Sequence, residues 1–100
     1  MEIHQIVVAA SPGDAITNAA LATRELLRRL GPSELFAYHI DQRLDGDVLA
    51  LQLLGRRRRP STDDVLIFHA SIGQPEVHAF VMDRPERLVV MHHNISPAEP

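Results

Sequence analysis

Three histidines follow apolar segments of this chain and are the residues best suited to chemistry. His69 comes directly after residues 65–68, and His92 and His93 follow the apolar run that begins at Leu88. Imidazole titrates near neutrality and can both donate and accept hydrogen bonds, so these side chains suit proton transfer or contact with a sugar hydroxyl. A single histidine of this kind is at least as often a core residue bonded to a backbone carbonyl. Three of them at two neighbouring strand ends favour a functional site.

Polar neighbours extend the candidate site around these histidines. Ser71 lies shortly after His69, and Asn94 and Ser96 follow His93. A metal would need further ligands, and no carboxylate stands close in sequence to either His69 or His93, so no metal is expected.

Residues 11–14, the turn SPGD, form a second candidate. Backbone N–H groups at a helix start, together with the helix dipole, favour an anion such as a phosphate or a carboxylate. The turn has only one glycine, Gly13, so it is neither a dinucleotide fingerprint nor a P-loop. Ser11 and Asp14 also have the spacing of a capping box, and from the turn alone we favour that structural role.

Four apolar runs predict β-strands: Ile3–Ala10, Leu35–Ile40, residues 65–68 and the run from Leu88. The run from Ile6 to Ala10 is too continuously apolar for a sheet with one wet face, and the β-helix-β order predicts parallel pairing, so we expect buried parallel strands. Helices are predicted from Pro75 through Met82 and before Gly31, where one helical stripe comprises Ile16, Ala20, Thr23, Leu27 and Leu30. The prediction is a three-layer, Rossmann-like α/β domain with a short, mostly parallel sheet in the order 2-1-3-4. The turn at 11–14, Asp41, His69 and residues 92–96 would then share one sheet edge.

Residues 41–64 fit this pattern least well, and we predict a mobile excursion with one or two helical turns. Its leucines precede four consecutive arginines, residues 56–59. That combination is typical of either a solvated loop or a short contact with an anionic membrane surface, and both interpretations stay open.

Composition excludes several classes of function. The 100 residues predict one domain, and the net charge of −3 argues against a nucleic-acid-binding protein. There is no cysteine, so no disulfide, thiol nucleophile or cysteine-ligated zinc is available. The amino-terminal residues lack the basic and long apolar regions of a signal peptide, and no apolar run reaches membrane-spanning length, so a cytoplasmic protein is expected.

Three segments, HQIVVAASPGDAITN, DVLIFHASIG and LVVMHHNISPAEP, together resemble the amino-terminal part of family 4 glycosyltransferases of the GT-B type. Members of that family carry a GDAI-like turn, an H-x-S-I-G segment and a YHNITP-like segment in this order. The resemblance implies two Rossmann-like domains, the first gripping the acceptor and the second holding the nucleotide-sugar. It further implies retaining, metal-independent hexosyl transfer without a cofactor, to a sugar or a lipid-linked acceptor.

The resemblance also implies roles for individual residues. Gly13 and Asp14 match the loop that approaches the donor phosphate or the acceptor, and His93 matches the histidine beside the transferred sugar. His69, Ser71 and Gly73 match the second segment, whereas Asn94 and Pro97 match the third. His92 stands where the family commonly has tyrosine, and Ser96 where it has threonine.

By this resemblance the chain is a truncated acceptor-side domain, inactive without the donor-side domain. The alternative is a stand-alone α/β module that binds an anionic ligand or a protein partner without catalysis. Under either hypothesis an incomplete parallel sheet leaves one strand edge open, which predicts a homodimer through that edge.

Overall fold

The computed structural model describes residues 1–56, 63–70 and 74–92, in which five strands alternate with three helices. In chain order the elements are β1 (Ile3–Ala10), α1 (Ala15–Leu27), β2 (Leu35–Ile40), a 3-10 turn (Gln42–Leu44), β3 (Leu49–Ala50), α2 (Leu51–Gly55), β4 (Val65–Ala70), α3 (Pro75–Met82) and β5 (Arg87–His92). All paired strands are parallel, and the sheet order is β3-β2-β1-β4-β5. The fold is therefore α/β with a five-stranded parallel sheet, which is compatible with the Rossmann-like class.

The predicted order 2-1-3-4 is wrong for this sheet because the sheet has a fifth strand. β3 pairs with β2 through Phe36–Leu49 and Ala37–Ala50, and so occupies the edge that the four-stranded prediction leaves open. A strand of two residues is too short to show a two-residue period, and it runs directly into α2. Hydrophobic patterning alone therefore does not reveal it.

Helices cover both faces of the sheet, and each face has its own apolar cluster. Because successive side chains of a strand point to opposite faces, Ile6 of β1 packs with α2 and α3 while Val7 packs with α1. The buried cluster on the α1 face comprises Val7, Ala10, Ala20, Leu35, Ala37 and Val48. The cluster on the opposite face comprises Ile6, Val8, Phe36, Leu51, Leu54, Leu66, Phe68, Val77 and Val81.

The start of α1 differs from the predicted capping box. Asp14, not Ser11, is the N-cap, and its Oδ2 accepts hydrogen bonds from the Thr17 backbone N–H at 2.9 Å and from the Thr17 hydroxyl at 3.0 Å. The Thr17 hydroxyl in turn accepts from the Ser11 N–H at 3.1 Å. These bonds join the end of β1 to the first turn of α1 and hold the intervening turn in one shape.

The buried face of α1 also differs from the predicted stripe. It contains Thr17, Ala20 and Arg24, whereas Leu30 is 75% exposed because the helix ends at Leu27. Arg24 is buried because its guanidinium donates to the Asp47 carbonyl at 2.8 Å and to the Asp47 carboxylate at 2.9 Å. A periodicity argument places arginine on the solvent side, so this contact between α1 and the segment before β3 is not predictable from helical spacing.

β5 was predicted to be a buried strand, and this prediction is wrong. It is the last strand of the sheet, with Val89, Val90 and Met91 exposed by 48%, 42% and 41%. Val89 lies beside Ile67, which lies beside Gln5 on the α1 face, but α1 packs on β1 and β2. The apolar run of β5 therefore belongs to an exposed edge strand and not to a buried central strand.

The described part of residues 41–64 contributes to the core. Val48, Leu51 and Leu54 are buried, the first on the α1 face and the other two on the opposite face. Arg56 is exposed at the end of α2, and the other three consecutive arginines lie outside the described residues. In the parts of the chain that the structure describes, no helix is both long and apolar enough to cross a membrane.

Candidate functional site

A small cleft at the carboxyl ends of β1 and β4 brings together two of the predicted site residues, Asp14 and His69. The cleft has a volume of about 130 Å³, and its lining is Val7, Val8, Ala9, Asp14, Ile16 and His69. Asp14 arrives from the turn after β1 and His69 from β4, the neighbouring strand of the sheet. Such an edge, where parallel strands meet helix starts, is where open α/β sheets bind ligands.

His69 is held by hydrogen bonds that link β4 to β1 and β1 to α1. It is 1% exposed, and its Nε2 lies 2.7 Å from the Gln5 side-chain oxygen. The Gln5 amide group donates in turn to the Ala20 carbonyl of α1 at 2.9 Å. His69 is thus both a bonded core histidine and a wall of the cleft, two roles between which the sequence alone does not decide.

The turn before α1 presents a carboxylate to the cleft. Gly13 has a φ of 82°, in the left-handed region that favours glycine, and this conformation turns the chain into the Asp14 cap. One carboxylate oxygen, Oδ2, is used by Thr17, and within the described residues no hydrogen bond involves Oδ1. A carboxylate at this position repels a phosphate but accepts a hydrogen bond from a neutral hydroxyl, so its chemistry favours a neutral, hydroxyl-bearing ligand over an anion.

Asp41, directly after β2, forms its hydrogen bonds within its own turn. Its carboxylate accepts bonds from the Arg43 backbone N–H at 2.9 Å and from the Arg43 guanidinium at 3.1 Å. These bonds hold the pKa of Asp41 below its usual range. Asp41 therefore caps the 3-10 turn and is not among the residues that line the cleft.

His92 lies on the other side of the sheet from His69. It pairs with Ala70, whereas His69 pairs with Met91, so the two histidines occupy positions of opposite parity in the ladder. His92 lines a separate cleft of about 70 Å³ on the α3 face, together with His78 and Met82 among others. The expected grouping of His92 with His69 is therefore not formed.

Several predicted site residues cannot be placed. Ser71, His93 and Asn94 lie outside the described residues, as do Gly73, Ser96 and Pro97 from the same motifs. Within the described ranges, no group of three or more histidine, cysteine or acidic side chains is arranged to hold a metal ion. What the structure does join is the SPGD turn and the histidine of the second segment.

The lining of the Asp14–His69 cleft combines aliphatic and hydrogen-bonding groups. Val7 and Ile16 offer an apolar surface, while Asp14 and His69 supply polar groups. A few placed polar groups in an otherwise apolar concavity are typical of small-molecule sites, and a sugar ring offers both C–H faces and hydroxyls. Comparison of the chain with protein-family models, with curated proteins and with solved structures gives no match.

Proposed function

We propose that this chain is the acceptor-side portion of a retaining, metal-independent glycosyltransferase that uses a nucleotide-sugar. In this proposal its sheet is an amino-terminal domain of the GT-B type, and the Asp14–His69 cleft grips a sugar. The observation that carries the proposal is the meeting of two resembling segments in one cleft, since Asp14 comes from the first and His69 from the second. His93 contacts the transferred sugar, a role carried only by the resemblance.

The mechanism proposed for this domain is positioning. In such transfer, orientation of the two substrates and stabilisation of developing charge provide most of the rate. Asp14 accepts a hydrogen bond from an acceptor hydroxyl, and the aliphatic lining excludes water from one face of the ring. Without a donor-side domain the chain binds sugar weakly and transfers nothing.

The proposal is tested by titrating the ¹⁵N-labelled chain with hexoses and, separately, with inorganic phosphate. Hexoses are expected to shift the backbone amide signals of Val7, Ala9, Ile16 and His69, which lie around the cleft. Asp14→Ala removes an acceptor of the sugar and should abolish these shifts. A response to phosphate at the turn without any response to hexoses would contradict the proposal and favour an anion-binding module.

The matched control for Asp14→Ala is Asp41→Ala. Both aspartates cap a helical turn at the carboxyl edge of the sheet, so each substitution removes one cap. Asp41→Ala should keep the hexose shifts, because Asp41 is not among the residues that line the cleft. Equal losses in both variants would show that only stability, not sugar contact, was changed.

We also propose that the exposed β5 edge pairs two copies of the chain. An antiparallel pair centred on Val90 would place Val90 opposite its copy and Val89 opposite Met91, and β5 has no proline and no central charge to prevent pairing. Light scattering should detect a dimer at high concentration, and Val90→Lys should dissociate it. Leu26→Lys, at an exposed apolar residue of α1, is the control and should leave it intact. A strict monomer at every concentration would refute the pairing.

A further inference from the structure

We infer that Gln5 is a positioning residue of the cleft, which holds the His69 ring with its proton on Nε2. Gln5 is fully buried in β1, on a strand that is otherwise apolar from Ile6 to Ala10. Its side chain links two elements that shape the cleft, α1 through Ala20 and β4 through His69. Moving the Gln5 amide would leave buried polar groups without hydrogen bonds, which costs free energy of folding. The amide therefore restricts the His69 ring to one orientation.

The donors and acceptors in this chain can be assigned in order. The Ala20 carbonyl can only accept, so the Gln5 atom 2.9 Å from it must be the amide nitrogen. The Gln5 atom that faces His69 at 2.7 Å is then the oxygen, which also only accepts. His69 Nε2 must therefore carry a hydrogen. In the neutral ring Nδ1 carries none, and any group that meets Nδ1, from this chain or from a ligand, must donate to it.

A second buried histidine, His4 of β1, shows what is particular to His69 of β4. His4 Nδ1 accepts from the Glu34 backbone N–H at 3.0 Å, and its Nε2 lies 2.7 Å from a Glu2 carboxylate oxygen. The ring of His4 thus faces a charged partner at the amino end of the sheet, where it joins β1 to the start of β2. His69 faces a neutral amide at the carboxyl end, where the Gln5 oxygen can only accept a hydrogen bond from the ring.

The consequence for the cleft is a preference for ligands that donate hydrogen bonds. Asp14 Oδ1 accepts, and Gln5 keeps the Nε2 proton of His69 out of reach of a ligand. Hydroxyl-bearing neutral molecules match this pattern, whereas phosphate and carboxylate groups do not. This preference rests on the proposed function for the identity of the ligand, but the role of Gln5 in holding the His69 ring does not.

Long-range ¹H–¹⁵N spectra of the histidine side chains test the role of Gln5 directly. In the wild-type chain above neutral pH, His69 is expected to show a protonated Nε2 and an unprotonated Nδ1. Gln5→Leu removes both hydrogen bonds at similar volume, and should turn this single form into a mixture and weaken hexose binding about tenfold. Val48→Ala is the matched control, because it truncates a buried residue on the same face, beside β3 and separated from β4 by β2 and β1, and it should preserve the His69 signals.

The outcomes separate this inference from the proposed function. A wild-type His69 with its proton on Nδ1, or a Gln5→Leu variant with unchanged His69 signals, would overturn the role of Gln5. If Gln5→Leu fails to fold, the wild-type spectrum alone decides. A protonated Nε2 without any response to hexoses would leave the role of Gln5 standing and refute the proposed function.

Discussion

Alanine at Phe36 is expected to lower the free energy of unfolding by about 3–5 kcal/mol, a large part of the stability of a domain of this size. Phe36 is 1% exposed and belongs to the apolar cluster between the sheet and helices α2 and α3. It lies between Ile6 of β1 and Leu49 of β3 in the sheet, and its ring meets that of His4 edge-on at 5.7 Å. Removing the ring leaves a cavity in the core. This cavity can close only if the surrounding strands and helices shift.

Chemical denaturation followed by circular dichroism measures this loss. The control is Phe80→Ala, which truncates the same side chain where it is half-buried at the margin of the same cluster, near the Arg84 guanidinium. It should cost roughly half as much as Phe36→Ala, because less apolar area is removed from contact. Losses of equal size at the two positions would contradict the assignment of Phe36 to the centre of the core.

Apolar residues predominate in β1 and β2, and Pro75 marks the start of α3. The sequence was therefore sufficient for these three elements, which are found at the residues predicted. It was not sufficient for β3, whose two residues show no period. Nor could it show that β5 lies at an edge, because an apolar run has the same composition in the centre of a sheet and at a solvent-exposed margin.

The sequence predicted which site residues lie near one another, but not which of them form contacts. Asp14 and His69 were expected at one edge of a parallel sheet, and they line one cleft. The separation of His69 from His92 depends on the strand register, which residue types do not reveal. Gln5 was missed because its partner is 64 positions away along the chain. A polar residue directly before the apolar run of β1 was the available signal.

The second large effect is expected at His93, in a protein that joins this chain to a donor-side domain. His93→Ala should reduce sugar transfer by roughly a hundred- to a thousandfold, the loss typical of one group that stabilises charge in the transition state. His92→Ala is the control next to it in sequence, and it should retain most of the activity, because His92 is exposed on the opposite face from the cleft. Full activity of His93→Ala, or equal losses in both variants, would contradict the role assigned to His93.

Sugar transfer by the joined protein is the most direct test of the central claim. The joined protein is expected to transfer hexose from a nucleotide-sugar, with retention of anomeric configuration and without added metal, while this chain alone shows no transfer. Measurement of product formation with and without a chelator decides both points. A correctly folded joined protein that leaves every nucleotide-sugar intact, or that binds no sugar at the Asp14–His69 cleft, would contradict the account.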